Sequence, residues 1–173
     1  MLFRSAAAAV PALARLMTQP DNDVRLAAVQ ALAEIGTPGA LQQLERCIDD
    51  TSREVRVATA RAFAARVHRP ALPKIEGAIK GKRLADADLT ERMALFEAFG
   101  AMCGDAGVTL LDGLLNNKGF FGKREDPELR ACAAMALGRV GTPNAIGSLR
   151  RAAADKEILV RNAVNRALRG GVA

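Results

Sequence analysis

Apolar residues recur along this chain at helical spacing, in short segments punctuated by Gly, Pro, Asp and Thr. From Asp21 onward, "DNDVRLAAVQALAEIGTPGALQQL" places Val24, Ala28, Ala31, Leu32 and Ile35 on one helical face. Leu41, Leu44 and Ile48 form the face of a second helix. Gly36 suits the left-handed conformation that ends the first helix, Thr37 can cap the second, and Pro38 fits its first turn. The same device returns at Gly141, Thr142 and Pro143.

That return is part of a larger repetition. Aligning Arg25 with Arg130 brings "EDPELRACAAMALGRVGTPNAIGSL" onto the first segment, apolar position on apolar position. The frame also takes in "REVRVATARAFAA" on Arg56, "TERMALFEAFGAM" on Arg92 and "ILVRNAVNRALRG" on Arg161, at steps of 31, 36, 38 and 31 residues. Each unit reads as two helices. Their alanine-rich faces let backbones approach closely, and one helix pair cannot cover both of its apolar sides, so units must stack. The reading is an all-α, alpha-alpha superhelix: one repeat domain over residues 1–173, with a partial repeat at 1–20, repeats at 21–50, 51–85, 86–124 and 125–154, and a terminal half-repeat at 155–173.

This grammar of an acidic start, Val-Arg, Ala, Ala-Leu and Gly resembles the HEAT-repeat family, in particular short bacterial units similar to those of phycobilin lyases. The resemblance implies an Asp before the first helix of a unit and an Arg inside it, joined in a structural ladder between units. The matching pairs are Asp50 with Arg56, Asp86 with Arg92, and Asp155 with Arg161. Gln19 precedes Arg25 and Arg124 precedes Arg130 at that spacing, so the ladder is expected to be interrupted beside the first and fourth units.

At the amino end, Val10, Leu13 and Met17 match Leu41, Leu44 and Ile48, so the chain is expected to open on a second helix. Arg161, Asn162, Asn165, Arg166 and Arg169 give the last helix a polar dress that "SAAAAVPALARLM" lacks. Either the chain is the carboxy-terminal part of a longer repeat protein, the favoured alternative, or its amino end docks on another subunit.

Two joints are longer than usual helix connections: "KGKRLADAD" after Ile79 and "NNKGFFGKREDP" after Leu115. Both link the second helix of a unit to the first helix of the next, which is where insertions build a binding rim. Lys80, Lys82, Arg83, Lys118, Lys123 and Arg124 are expected to form a basic strip there. Phe120 and Phe121 are either a staple tucked into the widened seam or an anchor for a partner; Gly119 and Gly122 permit both.

A formal charge of +6 favours acidic partners and keeps nucleic acid open as a rival. Aromatics are 3% of residues, with no Trp or Tyr, so a core of Ala, Leu, Val and Ile is expected. Charged residues interrupt every apolar run, so no membrane span is read and a cytoplasmic location is expected. The start imitates a targeting peptide only loosely, since Pro11 and Arg15 break it.

Chemistry finds little foothold. Cys47, Cys103 and Cys132 lie far apart and read as buried small hydrophobes, not as a zinc or redox set. His68 is the one histidine and reads as a helix exit. Asp86, Asp88, Glu125 and Asp126 stand at helix starts, where carboxylates cap amides. Neither GxGxxG nor GxxxxGK[ST] occurs.

Among HEAT-like enzymes, deoxyhypusine hydroxylases use His-Glu pairs that are absent here, and alkylpurine glycosylases depend on aromatics that this chain lacks. Phycobilin lyases share the repeat pattern without a pocket being specified. The expectation is a non-catalytic protein-interaction scaffold, with no metal and no cofactor. Its partner-binding residues are Phe120, Phe121, Lys118, Lys123, Arg124, Lys82 and Arg83. Sequence-blind nucleic-acid binding and lyase-like cofactor attachment are the alternatives.

Overall fold

Asp21 opens its helix by accepting hydrogen bonds from the amides of Asp23 and Val24, and Gly36 closes it at φ 61°. Thr37 then caps the following helix through the amide of Ala40, with Pro38 in the first turn. Gly141, at φ 67°, and Thr142, through Ala145, reproduce the turn. A positive φ favours glycine because it has no Cβ to clash with the backbone. Asp88 and Asp126 cap helix starts as well, through the amides of Glu91 and of Glu128 and Leu129.

The computed structural model describes residues 2–117 and 124–170, with side chains from residue 8 onward. Among the described residues the chain is all-α, with no strand. The helices are α1 (Leu2–Leu16), α2 (Asn22–Ile35), α3 (Pro38–Leu44), α4 (Arg53–Arg66), α5 (Leu72–Lys80), α6 (Arg83–Asp86), α7 (Leu89–Met102), α8 (Val108–Asn116), α9 (Pro127–Val140), α10 (Pro143–Arg151) and α11 (Ile158–Gly170). Short 3-10 turns cover Glu45–Asp49, Arg69–Ala71 and Gly104–Gly107. No described helix is long and apolar enough to cross a membrane.

The chain divides into two compact units inside α7, Met1–Leu95 and Phe96–Ala173. In the first, α1 packs on α2 and α3, and α2 packs on α4. Met17, just beyond α1, is buried. Ala28, Val29 and Leu32 of α2 are buried, as are Leu41 and Leu44 of α3 and Ile48 of the turn that follows.

In the second unit α9 packs on α8, α10 and α11 and is buried on nearly every side; Leu129 to Ala134, Ala136 and Leu137 are all buried. Small residues permit this closeness. A Cβ on Gly100 of α7 would stand 2.7 Å from the Ala136 carbonyl oxygen, and one on Gly138 would stand 2.7 Å from the Ala167 Cβ.

The core departs from expectation in one respect: three of its largest apolar side chains are Phe63, Phe96 and Phe99, each no more than 2% exposed. Burying one phenylalanine contributes about 2–3 kcal/mol. A low aromatic content therefore does not mean an aliphatic core, because the few aromatics are placed in it.

Candidate interaction surface

The recurring arginine holds the stack together. Arg25 of α2 donates through Nε and Nη2 to both carboxylate oxygens of Asp50, at 2.9 and 2.7 Å. Its Nη1 donates to the main-chain carbonyls of Gln19 and Pro20. Arg56 of α4 repeats the arrangement, with Glu91 as the acid at 2.5 and 2.8 Å and the carbonyls of Asp50 and Thr51 behind it. The planar guanidinium fork suits this task, gripping a carboxylate with two donors while a third ties down the loop before its own helix.

The expected ladder is therefore corrected in its pairing. Arg56, Arg92 and Arg161 reach main-chain oxygens at or beside the acidic residue, those of Asp50, Ala85 and Asp155. The carboxylates of Asp50 and Asp155 serve instead the arginine 25 residues earlier in the chain. The expected interruption does not occur at Gln19, because the six-residue contact uses a carbonyl, which any residue offers, but it does occur at Arg124, whose carbonyl Arg130 does not use. Arg25 uses that of Gln19, and Arg130 turns to the Leu115 carbonyl.

In the second unit this network is buried. Arg130 is 1% exposed and grips Asp155 with Nη1 and Nη2, while Arg124 adds a third contact at 2.5 Å. The Glu157 amide also donates to Asp155. The Arg130 hydrogen bonds, outweighing burial's opposing push, hold the Asp155 carboxyl at about 2, below the usual 3.8. The Arg25–Asp50 pair shows the same direction: burial pushes the Asp50 carboxyl up, but Arg25, the Ser52 amide and Arg56 hold it below the ordinary value.

Beside Asp155 runs an open groove of about 1210 Å³, walled by Arg124, Arg130, Arg151 and Lys156 against Glu125, Asp126, Asp155 and Glu157. Its charges balance, and Arg151 is further paired with Asp112 at 2.6 Å.

The first unit holds a smaller groove, of about 340 Å³, lined by α5, α6, the start of α7 and the 3-10 turn at Ile48. Ile48, Ala78, Leu84, Ala87 and Leu95 give it an apolar lining. Lys74, Lys82, Arg83 and Asp49 stand at its edge. Arg83 lies 3.6 Å from Asp49, with both side chains more than half exposed, and Lys74 lies 3.7 Å from Glu45. Lys82 has no ion pair among the described residues. The groove's other carboxylate, Glu91, is buried and already held by Arg56.

The sequence-derived site residues fall unevenly on this geometry. Lys82 and Arg83 line the first unit's groove. Arg124 is half-buried and bound to Asp155. Lys80 is paired with Glu76. Lys118, Phe120, Phe121 and Lys123 lie outside the described residues. Lys74 and Gly77, which line the same groove as Lys82, were not legible as site residues, since nothing in their own repeat marks them.

His68 is buried, stacked on Phe63 with ring centroids 5.2 Å apart, and its Nε2 lies 3.0 Å from Glu45 Oε1. The three cysteines are buried, and burial pushes the Cys47 thiol upward. Among the described residues no group of three or more His, Cys, Asp or Glu is placed to hold a metal ion.

The family model described as HEAT repeats matches residues 3–64 and 84–169. No curated protein matches the chain in sequence. Among solved structures, an engineered protein is 22% identical, with a TM-score of 0.58 over 95% of this chain and 80% of that one. The CpcE–CpcF complex of phycocyanin lyase from Nostoc sp. PCC7120 is 21% identical, with a TM-score of 0.58 over 91% of this chain and 62% of that one. A designed armadillo repeat protein is 17% identical, with a TM-score of 0.53 over 95% and 82%. At these identities the likeness is one of fold.

Proposed function

The chain belongs to the HEAT-repeat family, and from that premise we propose that it is a non-catalytic scaffold that binds a protein partner with an acidic surface. The observation that carries this reading is the first unit's groove, where cations stand over an apolar lining at one of the two long joints. Its Lys82 and Arg83 are the contacts proposed, with Lys118, Phe120, Phe121 and Lys123 as a second contact region; Arg124, bound to Asp155, is left out of it. The acidic preference also accords with the +6 charge of the whole chain.

That charge favours a second reading, sequence-blind binding of nucleic acid. Affinity capture from a lysate, with and without nuclease, at about 0.15 and 0.5 M salt separates the two, since phosphate contacts weaken steeply with salt. A protein retained in stoichiometric amount after nuclease, and lost with Lys82→Glu plus Arg83→Glu, supports the scaffold. Capture of nuclease-sensitive material alone overturns it. A third reading, attachment of a bilin to a partner, would be revealed by chromophore absorbance after incubation.

A further inference from the structure

We propose that the groove between α5 and the start of α7 is a docking site for a short acidic peptide segment that inserts one aliphatic or aromatic side chain. The inference rests on the scaffold reading and names the partner's chemistry.

Three observations on the groove converge. The first is its charge: from Lys74 to Arg83 the chain carries Lys74, Lys80, Lys82 and Arg83 against the single carboxylate of Glu76. Lys80 is neutralised by Glu76, leaving Lys74, Lys82 and Arg83 at the groove. Lys74 lies 3.7 Å from the half-buried Glu45, Arg83 lies 3.6 Å from the exposed Asp49 in a pair that solvent screens, and Lys82 has no ion pair among the described residues. A carboxylate-bearing segment would complete the charge balance.

The second is the space. Gly77 lies in the interior of α5, where glycine costs about 1 kcal/mol relative to alanine. A Cβ there would meet nothing within 4 Å, so no neighbour in the fold requires the glycine. Gly77 and Gly81 both line the groove and leave that wall bare. A volume of about 340 Å³ lies at the lower end of the range for ligand pockets and accommodates a large side chain with the backbone that carries it.

The third is the lining. Ile48, Leu84, Ala87 and Leu95 are each less than a tenth exposed and form an apolar floor, which a side chain would meet at the edges they leave uncovered. No aromatic residue lines the groove, so it gives a nucleobase nothing to stack on, which favours a peptide over a nucleic acid.

The test uses the full chain and fluorescent hexaglutamate peptides carrying Leu, Ile, Met or Phe at the third position, read by anisotropy. Gly77→Leu fills the groove and keeps every charge; Gly77→Ala adds one methyl and leaves most of the space. The expected result is that at least one apolar-bearing peptide binds about tenfold more tightly than hexaglutamate itself, as one buried side chain would produce. Gly77→Leu should abolish that advantage, and Gly77→Ala should keep it to within about threefold. Amide shifts of the labelled chain should move at Gly77, Gly81, Lys82 and Leu84.

Equal binding of hexaglutamate and the apolar-bearing peptides, or equal binding by Gly77→Leu, assigns the affinity to surface charge and overturns the groove. Absence of binding by every peptide overturns it too. Either failure leaves the scaffold reading to the nuclease-resistant capture described above, which does not depend on Gly77. Circular dichroism and thermal unfolding confirm that both Gly77 variants are folded.

Discussion

The two grooves differ in what their cations are doing. In the second unit, Arg130 and Arg124 converge on a buried Asp155, and the groove's cations and carboxylates are equal in number. In the first unit, the equivalent buried tie is made elsewhere, by Arg25 with Asp50 and Arg56 with Glu91, so Lys74, Lys82 and Arg83 are left at a groove edge, where Lys74 stands 3.7 Å from the half-buried Glu45 and Arg83 stands 3.6 Å from the exposed Asp49. A cation used to hold repeats together is fixed and desolvated; one left at an edge keeps its hydration and its reach for a partner. The contrast teaches that charge count alone does not locate an interaction surface in a repeat protein. What matters is which charges the stack has already used.

The largest expected effect breaks the second unit's side of this contrast. Arg130→Ala leaves Asp155 buried beside a void and is expected to cost about 3–5 kcal/mol, measured by urea unfolding at pH 7. Protonating the same network comes next. The Asp155 carboxyl lies lower in the folded state than its usual 3.8, so its contribution is complete above about pH 4 and is lost as pH falls toward about 2. Between pH 5 and pH 2, urea unfolding should show a loss of stability about 2 kcal/mol larger for the unaltered protein than for Asp155→Ala, since Asp50 and Asp112, also held below their ordinary values, contribute to both.

Smaller effects sharpen the first unit's side. Gly77→Ala should raise stability by up to about 1 kcal/mol, since α5 gains helix propensity and the added methyl meets nothing. A fall in the unfolding midpoint would mean that the groove wall is packed after all. Asp49→Ala, which frees Arg83, should change stability by less than about 0.5 kcal/mol.

Local grammar was legible in the sequence. The Gly-Thr-Pro turns, the helix pairs and the recurring arginine all follow from backbone chemistry that acts within one repeat. The pairing of the arginines was not, for a specific reason. Arg56 is long enough to touch the Asp50 carbonyl with Nη1 and the Glu91 carboxylate with Nε, so the six-residue spacing is real but belongs to the main chain. The carboxylate partner sits in the next repeat, at a distance in sequence that the inserted joints alter.

Arg124 illustrates the same limit: in sequence it is one more cation in a basic joint, and only the fold shows Asp155 waiting for it. Gly77 was silent because a helix-interior glycine reads as a minor defect until the empty space above it is seen.

The most direct test is a pair of double-mutant cycles by urea unfolding, one on Arg130→Met with Asp155→Asn and one on Arg83→Met with Asp49→Asn. The account predicts a coupling of about 1.5–3 kcal/mol for the buried pair and less than about 0.5 kcal/mol for the groove-edge pair. Couplings of similar size at the two sites would contradict it, because the edge cation would then be tied into the fold no less firmly than the buried one.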